Sequence, residues 1–536
     1  MSDFLNQLDE KVPDIEIPLP APITEEQEDN HLTTFKNIKS VLFDEVEKIK
    51  RDAYNRAYQE YMLEHENAED KTARAYAEKA RKKATPNTPL AVAIILKKYI
   101  HFTRIKPEGQ NQKAPLYFYH PDKGIYTEDN ELLQDLMATI YPNITERQAI
   151  DTLYKISHSV PLKNKQNNFV VIGSELYNNQ TGEFNPFNPN VIATRKVKAE
   201  YNPNATEPTI NGWKPTEWLR GLFNHDKESY DLAIQIIRAT VTGKTLDNIF
   251  WLHGVGGTGK GTFQALLENL VGAENTASFK IDEKNGRFDT SILIGKSVVI
   301  GDDVQKDVVI KDTSIVFSLA TGDPIRIEDK GKRPYTTRLK MTVVQSSNGF
   351  PRMNADKNAI NRRFRVLSFS ELKGKPDKRI KNDYINRPEV LEYLVKLAIE
   401  TPFKDIEPQR SIDFLNEEYK EMNPVADFVD RFFNDDVIQC KYVPNGYVFE
   451  CFKAYCKQHQ NSKYFLNEVS LHTEIKSLLP KSFRPKQVTI PKGKRFHKNF
   501  NPKLVFNPWH FDTYYNGREH EENQNKSKTE RGYERV

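Results

Sequence analysis

The spacing of apolar and polar residues divides the chain into helix-rich and strand-rich stretches. Residues 33–83 place opposite charges four positions apart and contain no glycine or proline, a pattern that predicts helix. We interpret this stretch as an exposed helical hairpin, with an arm that docks a partner as the alternative. Residues 116–129 predict a β-hairpin around an Asp-Lys-Gly turn, and residues 213–242 predict helix.

Three short apolar runs lie between residues 248 and 349, and each ends in glycine or polar residues. The first, NIFWLH at 248–253, predicts a strand, and TFQALLENLVG after it predicts an amphipathic helix. VVI at 298–300 and LKMTVVQSSNG at 339–349 predict two further strands. A strand, a glycine-rich turn and a helix in this order are typical of an α/β nucleotide-binding core.

The turn after the first strand matches the phosphate-loop pattern G-x-x-x-x-G-K-[ST] except at its last position. Gly261 takes the place of the Ser or Thr whose hydroxyl binds Mg²⁺, and Thr262 follows it. Backbone N–H groups of such a turn point at phosphates, and Lys260 would neutralise the β and γ oxygens. We therefore predict an ATP site with Thr262 as the substitute Mg²⁺ ligand. The predicted loop consists of Gly254, Val255, Gly256, Gly257, Thr258, Gly259, Lys260, Gly261 and Thr262.

Acidic and amide side chains follow the other two predicted strands. Asp302 and Asp303 come directly after the second strand, and Asn348 ends the third. One acid can hold Mg²⁺ through water, here Asp302, while the other polarises the attacking water. Asn348 could reach the γ-phosphate or position the water. The alternatives are that the paired acids cap a turn and that Asn before Gly only marks a turn.

A basic β-hairpin is predicted between the second and third strands. Ile325 and Ile327 alternate with polar residues, and the turn carries Lys330, Lys332 and Arg333. An isolated basic tip is more often a solvated surface, but within an ATPase it is a candidate DNA-binding element.

Arginines precede the last apolar strand of the core, in NAINRRFRVLSFS at 358–370. Arg362, Arg363 or Arg365 could reach the nucleotide of a neighbouring subunit as an arginine finger. Each of them could equally be a surface charge.

Residues 425–511 have the pattern of a separate module. Three amphipathic helices are followed by two short predicted strands around a turn that contains Lys492, Lys494 and Arg495. Helices followed by a basic hairpin predict a winged helix, whose helix at 470–478 would enter a DNA groove while the wing meets phosphates. Winged helices also serve as protein-interaction modules.

Composition narrows the class of protein. Three cysteines in 536 residues argue against a disulfide framework, and no apolar run approaches the roughly 18 residues that span a bilayer. The acidic start is unlike a signal peptide. We therefore expect a soluble protein of a reducing compartment, the cytoplasm of a bacterial host, with no membrane partner.

Charge is distributed unevenly along the chain. Residues 1–30 hold nine carboxylates and one lysine, whereas residues 471–510 hold nine Lys or Arg and one Glu. The basic cluster favours a polyanion partner, with a solvated charged surface as the alternative.

The order of these motifs resembles the superfamily 3 helicases, and most closely the helicase half of phage and plasmid primase-helicases and their poxvirus relatives. In that family GVGGTGKGT is the Walker A motif, VVIGDDV the Walker B motif and Asn348 the sensor residue. The resemblance puts Lys330 at the DNA-contacting hairpin lysine and Arg362 or Arg363 at the arginine finger.

The resemblance implies an AAA+-type P-loop ATPase that forms a homo-hexameric ring, uses ATP and Mg²⁺, and translocates on single-stranded DNA. About 90 residues precede the likeness, too few for a primase domain, so we expect any primase to be a separate partner. The winged helix would recognise duplex DNA at a replication origin. Two other functions stay open: an initiator that binds ATP and the origin without helicase activity, and a nucleoside monophosphate kinase, which also uses a G-K-G-T loop.

The predicted fold is thus an α/β P-loop core between an N-terminal mixed α/β and helical region and a C-terminal winged helix. The expected segments are an acidic disordered tail (1–30), a helical arm (31–89), a mixed α/β domain (90–205), a helical collar (206–246), the ATPase core (247–372), a helical linker (373–412), the winged helix (413–515) and a disordered tail (516–536).

Overall fold

A computed structural model of the chain describes residues 35–65, 69–106, 114–281, 290–305, 309–310, 313–328, 334–353, 357–371, 376–459, 466–490, 500, 504–506 and 528–536. They belong to two compact units. The first extends to Gln305 and also contains Asp312–Gly349 and Leu367–Glu407; the second contains Lys306–Lys311, Phe350–Val366 and Pro408–Val536. Within the described residues, no helix is both long and apolar enough to cross a bilayer.

Within the residues that the structure describes, the N-terminal part of the first unit combines five helices with two small sheets. The helices are α1 (Phe35–Glu64), α2 (Asp70–Lys83), α3 (Pro89–Tyr99), α4 (Asn130–Ile140) and α5 (Glu146–Ser159). The strands are β1 (Phe102–Ile105), β2 (Leu116–His120), β3 (Ile125–Thr127), β4 (Leu162–Lys163), β5 (Phe169–Ile172), β6 (Glu175–Asn178), β7 (Phe184–Asn185) and β8 (Lys196–Val197). Their sheet orders are β3-β2-β1-β4 and β7-β6-β5-β8. The predicted hairpin at 116–129 is confirmed, since β2 and β3 pair antiparallel.

The N-terminal helices are only partly the exposed hairpin that we predicted. Helices α1 and α2 do pack together, around a small cluster that contains Ala57, Ala77 and Ala80. However, Ile38 and Leu42 in the first half of α1 are buried in a core shared with α3, α4 and α5. The four-residue spacing of these apolar side chains puts them on one helix face, and that face anchors the helix.

Two helices lead into the nucleotide core, and another packs against them from later in the chain. These are α6 (Pro215–Leu222), α7 (Lys227–Thr242) and α12 (Pro388–Glu400). Asp226 caps α7 by accepting from the N–H of Ser229 at 2.9 Å. Arg238 on α7 donates to the carbonyls of Ala398 and Thr401 at the end of α12, at 2.9 and 3.0 Å. These bonds satisfy carbonyls that the helix end leaves without intrahelical partners.

The predicted ATPase core contains a five-stranded sheet whose strands, in spatial order, are β10 (Thr276–Ser278), β11 (Val298–Gly301), β15 (Thr342–Ser347), β9 (Ile249–His253) and β17 (Phe364–Ser368). The paired strands β10–β11, β11–β15 and β15–β9 are parallel. Their apolar residues are buried, as expected for strands covered on both faces. The elements of this region are β9 (Ile249–His253), α8 (Lys260–Val271), β10 (Thr276–Ser278), β11 (Val298–Gly301), α9 (Ser314–Thr321), β13 (Pro324–Ile327), β14 (Tyr335–Arg338), β15 (Thr342–Ser347), β17 (Phe364–Ser368) and α11 (Lys378–Asn382).

The second unit contains a helical module with a three-stranded antiparallel sheet in the order β18-β20-β19. The three predicted amphipathic helices are present and bury one aromatic-rich core. The unit's elements are β12 (Val309–Ile310), β16 (Arg352–Met353), α10 (Lys357–Arg363), α13 (Gln409–Met422), α14 (Pro424–Phe432), β18 (Tyr442–Pro444), α15 (Asn445–Gln458), α16 (Glu468–Leu478), β19 (Phe483–Ile490) and β20 (Lys528–Arg535).

The C-terminal segment corrects two predictions. Lys528–Arg535, placed by the sequence in a disordered tail at 516–536, is the central strand of the sheet. The partner of β19 is therefore this distant strand and not a neighbouring one near Val505, which instead bridges to Ile438. The reason is packing: Tyr533 is buried, and its hydroxyl lies 2.7 Å from Nδ1 of His472 on α16.

Candidate nucleotide-binding site

The loop between β9 and α8 has a backbone that requires glycine. Gly254 has φ 154°, and a Cβ there would lie 2.8 Å from the carbonyl oxygen of Phe369. Gly259 has φ 101°, and a Cβ there would lie 2.7 Å from Cδ2 of Leu222. Side chains at these positions would clash and adopt a disfavoured backbone conformation. The glycines of the motif therefore shape a tight turn directly before the helix.

Helix α8 begins without a side-chain cap. Its N-cap is Gly259, and its first turn contains Lys260 but no acidic residue. Elsewhere in the chain Thr88, Asp129 and Asn467 cap their helices with side-chain oxygens. An uncapped N-terminus leaves backbone N–H groups open, and its positive end favours an anion. The loop is therefore suited to phosphate oxygens.

Lys260 connects the loop to the end of β15. Its Nζ donates to Asn348 Oδ1 at 3.1 Å and to the carbonyl of Val255 at 3.0 Å, and it also contacts the carbonyl of Gly254. Burial lowers the pKa of Lys260, an effect that the nearby carboxylates of Asp302 and Asp303 oppose. The predicted lysine, amide and acids thus come together at one edge of the sheet.

The histidine that ends β9 belongs to the same edge. Burial and the charge of Lys260 lower the pKa of His253, and a hydrogen bond to the backbone of Asn348 opposes this shift. A neutral imidazole at this position adds no positive charge beside the phosphate loop.

Strand register brings Asp302 beside Ser346. In the parallel β11–β15 pair Gly301 lies opposite Gln345, so the next residues are also adjacent. Ser346 Oγ donates to Asp302 Oδ1 at 2.6 Å and accepts from the N–H of Asp303 at 3.3 Å. Ser346 is not among the site residues predicted from the sequence. Ser346 and Ser347 are polar residues that end the apolar third strand. They could have indicated a contact with Asp302 once β11 and β15 are paired in parallel.

The groups present fit ATP with Mg²⁺. Gly256 and Gly257 face open space, so phosphates would meet no side chain there. Asp302 and Asp303 are exposed at the strand end and supply carboxylate oxygens. No group of three or more His, Cys, Asp or Glu that could hold a metal ion occurs within the described ranges. Magnesium at this edge would therefore depend on phosphate oxygens and water as well as on protein ligands.

Thr262, the predicted substitute Mg²⁺ ligand, lies in the first turn of α8, where its N–H donates to the carbonyl of Gly259 at 3.0 Å. Its role as a metal ligand stays a prediction. A Cβ at Gly261 would lie 3.7 Å from Lys381 Nζ, which is an ordinary contact.

The three arginines near the last strand differ in their surroundings. Arg362 is exposed and Arg363 half-buried at the end of α10. Arg365 is 7% exposed, and its Nη1 donates to the carbonyls of Asn361 and Phe364 at 2.9 and 3.1 Å. Arg365 is thus committed to carbonyls of its own chain, and Arg362 and Arg363 stay the predicted arginine-finger candidates.

The predicted hairpin between the second and third core strands is confirmed. Strands β13 and β14 pair antiparallel, and Ile325 and Ile327 are buried. The proposed DNA-contacting side chains lie outside the described residues, both at this hairpin tip and at the predicted wing. They are Lys330, Lys332, Arg333, Lys492, Lys494 and Arg495.

Comparisons with known proteins give three family matches. Residues 44–219 match the family described as D5 N terminal like, and residues 420–516 match the family described as Poxvirus D5 protein-like. Residues 252–363, which include the loop, both acids and Asn348, match a family of unknown function, DUF5906. No curated protein matches the chain.

Similar solved structures include two of the NrS-1 C-terminal region. The A form apo structure of this region has a TM-score of 0.40 and 14% identity over 64% of this chain and 78% of that chain. The apo structure of residues 305–718 has a TM-score of 0.40 and 14% identity over 68% of this chain and 90% of that chain.

Proposed function

We propose that this chain, which matches the D5 N terminal like and Poxvirus D5 protein-like families over parts of its length, is a replication enzyme of the D5-like primase-helicase family and an ATP-hydrolysing DNA helicase of superfamily 3. Its core would be an AAA+-type P-loop ATPase and its C-terminal module a winged helix. The enzyme would assemble as a homo-hexameric ring, translocate on single-stranded DNA and recognise origin duplex DNA.

One observation carries the proposal. Lys260, at the uncapped N-terminus of α8, donates to Asn348 beside Asp302 and Asp303. A phosphate-loop lysine, an acid pair and an amide at the carboxyl ends of parallel strands form the set of groups that nucleotide hydrolysis needs. A surface cluster of charges would not require the glycine backbone that precedes it.

Each side chain then has a distinct part in hydrolysis. Lys260 leaves the carbonyls of Gly254 and Val255 and neutralises the β and γ oxygens of ATP. Asp302, oriented by Ser346, would hold Mg²⁺, and the metal would supply positive charge to offset the charge that develops on the phosphates. Asp303 polarises the attacking water, and Asn348 orients that water or the γ-phosphate.

Hydrolysis would be completed between subunits and coupled to DNA. Arg362 or Arg363 of one protomer would reach the nucleotide of its neighbour as an arginine finger, which links turnover to ring assembly. Movement of Lys330 with the β13–β14 hairpin would carry single-stranded DNA. The basic residues at 471–510 support duplex binding by the C-terminal module, and a separate primase is the expected replication partner.

Strand displacement on forks with 3′ or 5′ tails, with and without ATP, tests the proposal. We expect Lys260→Ala to lose ATP turnover, and Lys330→Ala to keep basal ATPase activity but lose unwinding. Retained turnover in Lys260→Ala contradicts the nucleotide site. Normal unwinding by Lys330→Ala contradicts only the hairpin assignment.

The same assay separates the two alternatives. Tight origin binding with negligible strand separation would favour an initiator that uses ATP only for assembly. Phosphoryl transfer to a nucleoside monophosphate, without stimulation by DNA, would favour a kinase.

A further inference from the structure

A segment after the last core strand runs along helix α8 and is fixed to it. It consists of α11 and the single turn Tyr384–Asn386. Asn269 Nδ2 on α8 donates to Asn386 Oδ1 at 2.7 Å and to the carbonyl of Ile385 at 3.2 Å. The side chains of Tyr384 and Ile385 are buried in the core that α8 also enters. The position of this segment beside α8 is therefore set by the folded core.

Lys381 projects from this segment to the start of α8. Asn386 Nδ2 donates to its carbonyl at 3.0 Å, which holds the backbone at that point. Its Nζ lies 3.7 Å from where a Cβ at Gly261 would be. Among the described residues no other heavy atom outside α8 and the loop comes within 4 Å of that point. The ammonium group is thus next to the position that carries a hydroxyl in the usual phosphate-loop motif.

The charge of Lys381 is unmatched, unlike the charges of the two arginines near it. Arg379 is paired with Asp377 and Arg387 with Asp383, each at 2.8 Å. For Lys381, which is exposed, no acidic partner occurs within the part of the chain that the structure describes.

The location makes this lack of a partner significant. Lys381 and Lys260 bring two positive charges to the uncapped N-terminus of α8, which is already the positive end of the helix. Cations are stabilising at the opposite end, so this arrangement is unfavourable without a bound anion. A bound polyphosphate relieves the repulsion, since each ammonium can act as a point charge on phosphate oxygens.

We propose that Lys381 is a second phosphate-contacting lysine of the nucleotide site, supplied from outside the loop motif, whose ammonium binds the polyphosphate of a nucleoside triphosphate beside Gly261. This inference rests on the proposed function, because it assigns a ligand contact within the same ATP site. The absent side chain at Gly261 leaves the space into which Lys381 reaches.

Calorimetric titration of the full-length protein with ATP and with adenosine tests this contact. Lys381 is exposed to solvent, so its contact with phosphate is partly screened, and we expect Lys381→Ala to raise the Kd for ATP about tenfold, which corresponds to about 1.4 kcal/mol. Adenosine affinity should be unchanged, because adenosine has no phosphate. Lys378→Ala removes the same charge from the same short helix and is the control, with an expected change in the ATP Kd below about twofold.

The outcomes separate this inference from the proposed function. If Lys381→Ala binds ATP like wild type while Lys260→Ala loses binding, the Lys381 contact is wrong and the ATP site stands. If Lys260→Ala also binds normally, the nucleotide site itself is wrong. An equal loss in Lys378→Ala would mean a general charge effect, and an equal loss for adenosine would mean altered folding; either result overturns the contact.

Discussion

Replacing Ser346 by alanine tests how much the orientation of Asp302 contributes to ATP hydrolysis, because the substitution keeps the Asp302 carboxylate and its charge. The hydroxyl of Ser346 is buried and donates to Asp302 Oδ1 at 2.6 Å, while it accepts from the N–H of Asp303. A hydrogen bond to a charged group contributes about 1.5–3 kcal/mol. Water can replace part of this bond because Asp302 is exposed, so we expect a stability loss of about 1 kcal/mol. The effect on turnover should be larger, since a misplacement of about 1 Å at a reacting centre can cost on the order of 100-fold.

The adjacent Ser347 provides a matched control. It is equally buried, but its hydroxyl donates to the carbonyl of Val304 at 2.6 Å and accepts from Gly349, away from Asp302. Steady-state ATPase assays across a Mg²⁺ titration, with thermal unfolding measured in parallel, compare the two variants. Ser346→Ala should lower kcat about 10- to 100-fold and raise the Mg²⁺ requirement, with a melting temperature within a few degrees of wild type. Equal ATPase losses in Ser346→Ala and Ser347→Ala would refute the orienting role.

Three further predictions concern the loop, the acid-bearing strand and the C-terminal sheet. Thr262→Val should weaken Mg-ATP hydrolysis far more than Gly261→Ser, and the reverse order in ATPase assays would reject Thr262 as the ligand. Gly301→Ala should destabilise the protein by about 1–3 kcal/mol in urea unfolding, because its Cβ would lie 2.2 Å from Gln345 Oε1. Burial lowers the pKa of His472 from 6.5 to about 4, so the unfolded chain binds its proton first as pH falls. The C-terminal sheet should lose up to about 3 kcal/mol between pH 6.5 and 4, measured by hydrogen exchange, and His472→Gln should remove that dependence.

The nucleotide core was predictable because its strands are apolar runs bounded by glycine or polar residues. NIFWLH at 248–253 forms β9 at Ile249–His253, and VVI at 298–300 forms most of β11. The strand, turn and helix order also predicted that Lys260, Asp302 and Asn348 approach one another, since the carboxyl ends of parallel strands share an edge.

The C-terminal sheet was not predictable from local pattern. Lys528–Arg535 has the sequence KTERGYER, whose charged residues suggest a solvated tail. It is a strand because Tyr533 enters the module core and Glu534 pairs with Arg484 at 2.7 Å. Its partner β19 ends at Ile490, so the two paired strands lie far apart in the sequence. Hairpin rules predict the nearer wing partner because they apply only to neighbouring segments.

The two side chains that the motifs do not include, Ser346 and Lys381, differ in how they could have been found. Ser346 follows from the motifs plus one topological fact, because parallel pairing of β11 with β15 aligns Gly301 with Gln345 and hence Asp302 with Ser346. Lys381 follows from neither motif nor strand register. It reaches Gly261 only because Asn269 and the buried Tyr384 fix its segment against α8. A loop motif therefore identifies phosphate-binding residues that are consecutive in the chain. The charge around the phosphates of a bound nucleotide also depends on side chains that tertiary packing brings to the loop from elsewhere in the sequence.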